Sequence, residues 1–140
     1  MSQTREREAS STPNVAPLLA VRKGPSAVEF YKTVFGAEEH FRTTSEDGAV
    51  VAKLAIGACE FWVADEAPEH QNFSPATLGG TSVRMVLVVD DPDFVYDRAV
   101  AAGSQPLWPV VDQSYGWRIG RLVDPFGHHW EIGKPLSNAS

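Results

Sequence analysis

The sequence predicts an α+β fold made of two β-α-β-β-β modules, their strands curling as a mixed sheet around a cleft with the helices outside. Three observations carry this expectation. Apolar strand-like runs and one helical stripe follow in the same order in both halves of the chain. Each half places a tyrosine inside its helix and a glycine after it, Tyr31 with Gly36 and Tyr96 with Gly103. Each half then ends in a strand, a glycine-containing turn and a strand with one glutamate, Glu60 or Glu131. A single module of this kind cannot cover its own apolar face, whereas two can share a core and leave a concave surface for a ligand.

The elements follow in order. Residues 1–14 are polar and aperiodic and read as a flexible arm; the folded domain is expected over 15–135, with a tail at 136–140. Module one spans 15–64. Its first strand is the apolar run 15–21, and Gly24-Pro25 opens a helix at a position where the missing proline N–H costs nothing. Ala27, Phe30, Tyr31, Val34 and Phe35 form its stripe, and Gly36 suits the left-handed residue past its end. Residues 38–44 predict a strand, and 49–56 and 59–64 a hairpin around Gly57-Ala58. Residues 65–80, rich in Pro, Glu, Asn and Gly, read as a linker. Module two spans 81–135: a strand at 83–89, a helix from Pro92 to Ala102 capped by Asp90 and Asp91, an irregular edge strand at 105–110 that holds Pro106 and Pro109, a strand at 117–123, a turn at 124–127 and a last strand at 128–132. Helix capping accounts for the acidic cluster Asp90, Asp91 and Asp93.

Composition narrows the function. A net charge of −6 disfavours nucleic acid, whose phosphates need a basic surface. No apolar run is long enough to span a membrane, and the charged start lacks the apolar stretch of a secretory signal. The lone Cys59 cannot form an internal disulfide, which points to a reducing cytoplasm; as a buried strand residue without an activating neighbour it is expected to be inert.

Val28-Glu29-Phe30-Tyr31, Val34-Phe35-Gly36-Ala37-Glu38, Val89-Asp90-Asp91-Pro92, Trp117-Arg118 and Asp124-Pro125-Phe126-Gly127-His128-His129-Trp130-Glu131-Ile132 stand in a characteristic order and spacing. Over residues 15 to 135 they resemble the vicinal oxygen chelate superfamily of glyoxalases, bleomycin-resistance proteins and extradiol dioxygenases, and within it the PhnB-like branch. That resemblance implies a homodimer. It also implies that a metal, where present, is held by the first and last strands of each module. Those positions are read here as Ala16 or Pro17, Glu60, Arg84 and Glu131, and Val51 stands where PhnB-like relatives often carry histidine. The imidazoles that a transition metal favours are missing from all of them.

Two functional readings follow. The first is a metal-independent binder of a small molecule, a drug or a metabolite, with antibiotic resistance as one use and no cofactor. In it Arg84 replaces the metal and pairs with Glu131, while Trp62, Trp108, Tyr115, Trp117 and Trp130 offer flat apolar surface beside Arg84. The segment 108–117 is the expected ligand-facing loop. The second is a glyoxalase-like isomerase or lyase in which Glu131 or Glu60 acts as general base, with a divalent metal, if any, on Glu60, Glu131 and His129. A purely structural or interaction role is a third. Of the remaining histidines, His40 falls in a strand, His70 in the linker, and His128 is expected to pack against the turn while His129 faces the cleft with Glu131.

Overall fold

The computed structural model describes residues 12–137; residues 1–11 of the expected arm and 138–140 of the tail lie outside the described residues. Module one comprises β1 (Leu18–Val21), α1 (Gly24–Phe35), β2 (Glu38–Thr44), β3 (Val50–Ile56) and β4 (Cys59–Asp65). Module two comprises β5 (Arg84–Val88), α3 (Pro92–Ala101), β6 (Gln105–Asp112), β7 (Trp117–Val123) and β8 (His129–Pro135). Each forms its own four-stranded mixed sheet, in the orders β1-β4-β3-β2 and β5-β8-β7-β6. The pairs β1–β4 and β5–β8 are parallel, and the others antiparallel. The α+β class and the repeated module stand as expected. No helix among the described residues is long and apolar enough to cross a membrane.

Local chemistry sets the ends of the elements. Gly36 takes φ 74° and returns its N–H to Tyr31 O, closing α1 with the left-handed residue that glycine adopts without a Cβ clash. Asp65, at the end of β4, accepts from Gly24 N and Val50 N at 2.7 Å each, pinning the entry of α1 to the start of β3. A Cβ at Gly24 would collide with that carboxylate, so the contact requires glycine. Asp91 caps α3 through Phe94 N at 3.2 Å, and Asp93 pairs with Arg118 at 2.7 Å. β6 is an edge strand with register shifts on both sides of Trp108, in keeping with its two prolines.

The segment 65–80 is more than a linker. It holds a 3₁₀ turn at Pro68–His70 and the short helix α2 (Pro75–Leu78), capped by Ser74 Oγ. Glu66 organises it, accepting from Ser74 N and Thr77 Oγ1 at 2.8 Å each. These bonds stabilise the charged carboxylate and draw its pKa down to about 2, the Ser74 N–H contributing most.

α1 and α3 each cover one face of their own sheet and also pack on one another. The covered faces merge into one apolar core containing Tyr31, Phe35, Leu54, Phe61, Leu87, Tyr96, Leu122, Trp130 and Ile132. At its centre Trp130 is 2% exposed, with its ring 4.5 Å from Phe35 and 5.5 Å from Tyr31. Asp124, itself buried, accepts from Tyr31 Oη at 2.5 Å and Trp130 Nε1 at 2.9 Å through Oδ2. Its Oδ1 accepts from Phe126 N at 2.9 Å and His128 N at 3.0 Å. His128 Nε2 donates to Ala20 O of β1 at 2.8 Å, a second polar tie between the modules. Burial, and then the facing Asp124 charge, push the Tyr31 phenol well above its ordinary pKa, so it acts only as a donor here.

Replacing Asp124 by alanine strands four donors, Tyr31 Oη, Trp130 Nε1 and the N–H groups of Phe126 and His128, and the loss in folding free energy is expected to reach about 3 kcal/mol or more. Glu131→Gln, which alters a solvent-exposed ion pair, is expected to cost less than ~1 kcal/mol. Urea unfolding of both variants checks this; equal midpoints would remove Asp124 from its central role.

Candidate functional site

The module repeat identifies which positions are equivalent. Leu18 and Val86 each stand six residues before the start of their module's helix, at Gly24 and Pro92. In the parallel ladders Leu18 lies opposite Trp62, and Val86 opposite Glu131. The counterpart of Glu131 is therefore Trp62, and the counterpart of Arg84 is Ala16. Glu60 does not occupy the position assigned to it from the sequence. Counting from the turns misleads because Gly57-Ala58 joins β3 to β4 with two residues, whereas residues 124–128 join β7 to β8 with five. Glu60 lies on the open face of sheet one, where it meets His40 Nδ1 at 3.1 Å and Lys53 Nζ at 3.8 Å. Trp62 shares that face, with Lys53 Nζ 5.2 Å above its ring and Phe41 edge-on at 6.1 Å. His70 sits in the exposed 3₁₀ turn, apart from both groups.

The open face of sheet two gathers the other charged candidates. Because side chains alternate along β8, Trp130 and Ile132 enter the core while His129 and Glu131 face outward. Arg84 Nε donates to Glu131 Oε2 at 2.5 Å, in a pair whose arginine is half exposed. Arg121 of β7 lies directly opposite Glu131 in the ladder. Its Nε and Nη2 reach His129 Nδ1 at 3.3 and 3.1 Å. Among the described residues no carboxylate lies within ion-pair distance of Arg121. The imidazole of His129 is held below its ordinary pKa by partial burial first and by the Arg121 charge second.

Beside these groups is a cavity of about 210 Å³ lined by Trp108, Gln113, Tyr115, Ile119, Gly120, Arg121 and Glu131. The strand packing behind it needs glycine at position 120. A Cβ there would lie 2.7 Å from Val110 Cγ2 and 2.9 Å from Trp108 O, pushing away the edge strand that carries Trp108. Tyr115 stands on the β6–β7 turn, closed by Gly116 N donating to Gln113 O at 3.1 Å. Trp108 and Tyr115 are 62% and 67% exposed, so their ring faces are available to a ligand.

Three further residues stand as follows. Trp130 is packed in the core, its indole N–H bonded to Asp124 and its ring against Phe35 and Tyr31, and it also lines a second cavity of about 300 Å³ with Glu60, Phe61, Met85 and Val86. Trp117 is half-buried at the start of β7 opposite Pro135, outside the cavity lining. Cys59 is exposed at the first position of β4 rather than buried. The residue missed from sequence is Arg121. It shares a face of β7 with Ile119, a period-two signal that was available but carried no family motif.

The donor set does not fit a divalent metal. Of the four equivalent positions, Ala16, Trp62, Arg84 and Glu131, only Glu131 offers a ligand oxygen. His129 is the one imidazole beside it, and Glu60 belongs to the other sheet. Among the described residues no group of three or more His, Cys, Asp and Glu converges. A cation at Glu131 would also face the guanidiniums of Arg84 and Arg121.

The His129 environment is measurable. Its folded pKa lies below the ordinary 6.5, so the unfolded chain binds the proton more readily. The site's contribution to folding is thus present above 6.5 and is lost as pH falls through the folded value. NMR titration is expected to place His129 below 6.5 and Arg121→Gln to raise it; an unchanged value would deny the guanidinium its electrostatic effect.

The Glyoxalase/Bleomycin resistance protein/Dioxygenase superfamily model matches residues 15–132. The chain is 37% identical over 128 residues to an uncharacterized protein, Mb0911c, of Mycobacterium bovis, covering 89% of this chain and 84% of that protein. Among solved structures, TioX from Micromonospora sp. ML1 is 28% identical with a TM-score of 0.67, covering 89% of this chain and 100% of that one. The fosfomycin resistance protein FosX from Listeria monocytogenes shares the fold at 13% identity and a TM-score of 0.71, covering 93% of this chain and 98% of that one. With the family match spanning nearly all of the described residues and the paired modules in place, the chain belongs to the glyoxalase/bleomycin resistance protein/dioxygenase superfamily.

Proposed function

We propose that this protein is a metal-independent small-molecule binder of the glyoxalase/bleomycin-resistance type, in the PhnB-like branch, holding a drug or metabolite on the open face of sheet two. The observation that carries the reading is the replacement of the metal-bearing positions by Ala16, Trp62 and Arg84, with the one remaining carboxylate, Glu131, bound to Arg84. Trp108 and Tyr115 provide the flat apolar contact, and Gln113, Arg121 and Glu131 the few polar groups that orient a ligand.

The same reading includes a homodimer. Leu18 and Val51 on sheet one, and Val86 and Val88 on sheet two, are large apolar side chains left on open sheet faces. A second copy that set its sheet one over sheet two would cover them and bring Trp62 toward Trp108 and Tyr115. TioX and FosX support only the scaffold, which serves many chemistries.

Elemental analysis of purified protein is expected to find no stoichiometric divalent metal; one ion per chain would place the protein with the metal-dependent lyases and isomerases instead. Light scattering is expected to give twice the chain mass. Planar aromatic compounds are expected to quench tryptophan fluorescence. Loss of stacking in Trp108→Ala is expected to weaken that binding roughly tenfold, about 1.4 kcal/mol.

A further inference from the structure

We propose that the sheet-two cavity selects ligands bearing an anionic oxygen group on a planar aromatic body, with Arg121 as the residue that reads the charge. The inference rests on the binding function proposed above and names the ligand class. Two guanidiniums, Arg84 and Arg121, stand on this face, and they are not equivalent. Arg84 is engaged by Glu131 at 2.5 Å. Arg121, partly buried in the wall of the cavity, has among the described residues one side-chain hydrogen-bond partner, the Nδ1 of His129, reached through Nε and Nη2.

The Nδ1 atom accepts those bonds, so the imidazole is neutral and leaves the Arg121 charge uncompensated. Its Nη1 makes no hydrogen bond within the described residues. The remaining charges add up accordingly. Glu131 and Arg84 offset one another on the open face. Asp124 lies beneath the sheet, its oxygens taken up by Tyr31, Trp130 and two backbone N–H groups. The cavity thus presents one unmatched cation whose planar fork suits a carboxylate, sulfonate or phosphonate oxygen pair.

The rest of the lining sets the body of the ligand. Trp108 and Tyr115 rise on the edge strand and its turn, and Ile119 gives an apolar floor. A volume of about 210 Å³ admits one or two fused rings while the rest of a larger ligand extends across the open face.

The test compares three naphthalene probes of similar size that differ in charge, 2-naphthoate, 2-naphthamide and 2-naphthylmethylammonium, titrated by tryptophan fluorescence and calorimetry. The wild-type protein is expected to bind naphthoate at least roughly tenfold more tightly than the amide, with the ammonium weakest. Added salt is expected to weaken naphthoate selectively. Arg121→Gln is expected to abolish the preference while still binding the amide, and Arg118→Gln, on the opposite face of β7, to keep it. Circular dichroism checks that the variants fold, and Arg121→Lys is expected to recover part of the preference. Binding of all three probes with equal affinity, or an unchanged preference in Arg121→Gln, would overturn the charge selection and leave the binding function intact. No binding of any probe would overturn both.

Discussion

The structure depends on one buried carboxylate. Asp124 takes donors from both modules, Tyr31 from α1 and Trp130 from β8, and from the backbone of its own turn. A charge in such a place persists only when its oxygens are satisfied, and four donors do that. The consequence reaches the open face. Holding Trp130 inward fixes the phase of β8, and alternation then turns His129 and Glu131 outward. The same turn sends His128 across to Ala20 O, so the module that carries the site is locked to the one that does not. Core and site are set by consecutive residues of one strand.

The duplicated module makes its own asymmetry visible. At corresponding places module one presents Ala16, two residues before β1, and Trp62 where module two presents Arg84 and Glu131. At these positions sheet one is apolar and aromatic, with Glu60, His40 and Lys53 beside Trp62, while sheet two is charged and rimmed by aromatic rings. A symmetric pair of half-sites would supply ligands to a shared ion. This pair supplies a flat surface and an ion pair, which is the chemistry of recognition by stacking and hydrogen bonding.

Most of the fold was legible because each element carried a local signal. Gly24-Pro25 and Gly36 bound α1, Asp91-Pro92 starts α3, and Pro106 and Pro109 mark an edge strand. The pairing of Arg84 with Glu131 was also legible, since both lie at strand positions that the resemblance singles out. Other features were not. Glu60 was misplaced because two turns of unequal length shift a count made from them, a register that only the strand ladders reveal. The core contacts of Trp130 are not legible either, because its partner Asp124 is set by tertiary structure. The order in 65–80 was hidden because Glu66, Ser74 and Thr77 lie far apart along the chain for a cap of a single turn of helix.

The sign of the site opposes the sign of the chain, and distance decides which one a ligand feels. The net −6 is spread over the surface, and salt screens such charges beyond about 8–10 Å. Arg121 acts at contact distance, where its attraction outweighs that of the distant, more strongly screened charges. With Arg84 and Arg121 set against the one carboxylate of Glu131, this face keeps one positive charge in excess. Glu131 thereby changes role within the family scaffold. Where relatives use this strand position to bind a cation, here it steadies one arginine and leaves the neighbouring arginine free to meet an anion.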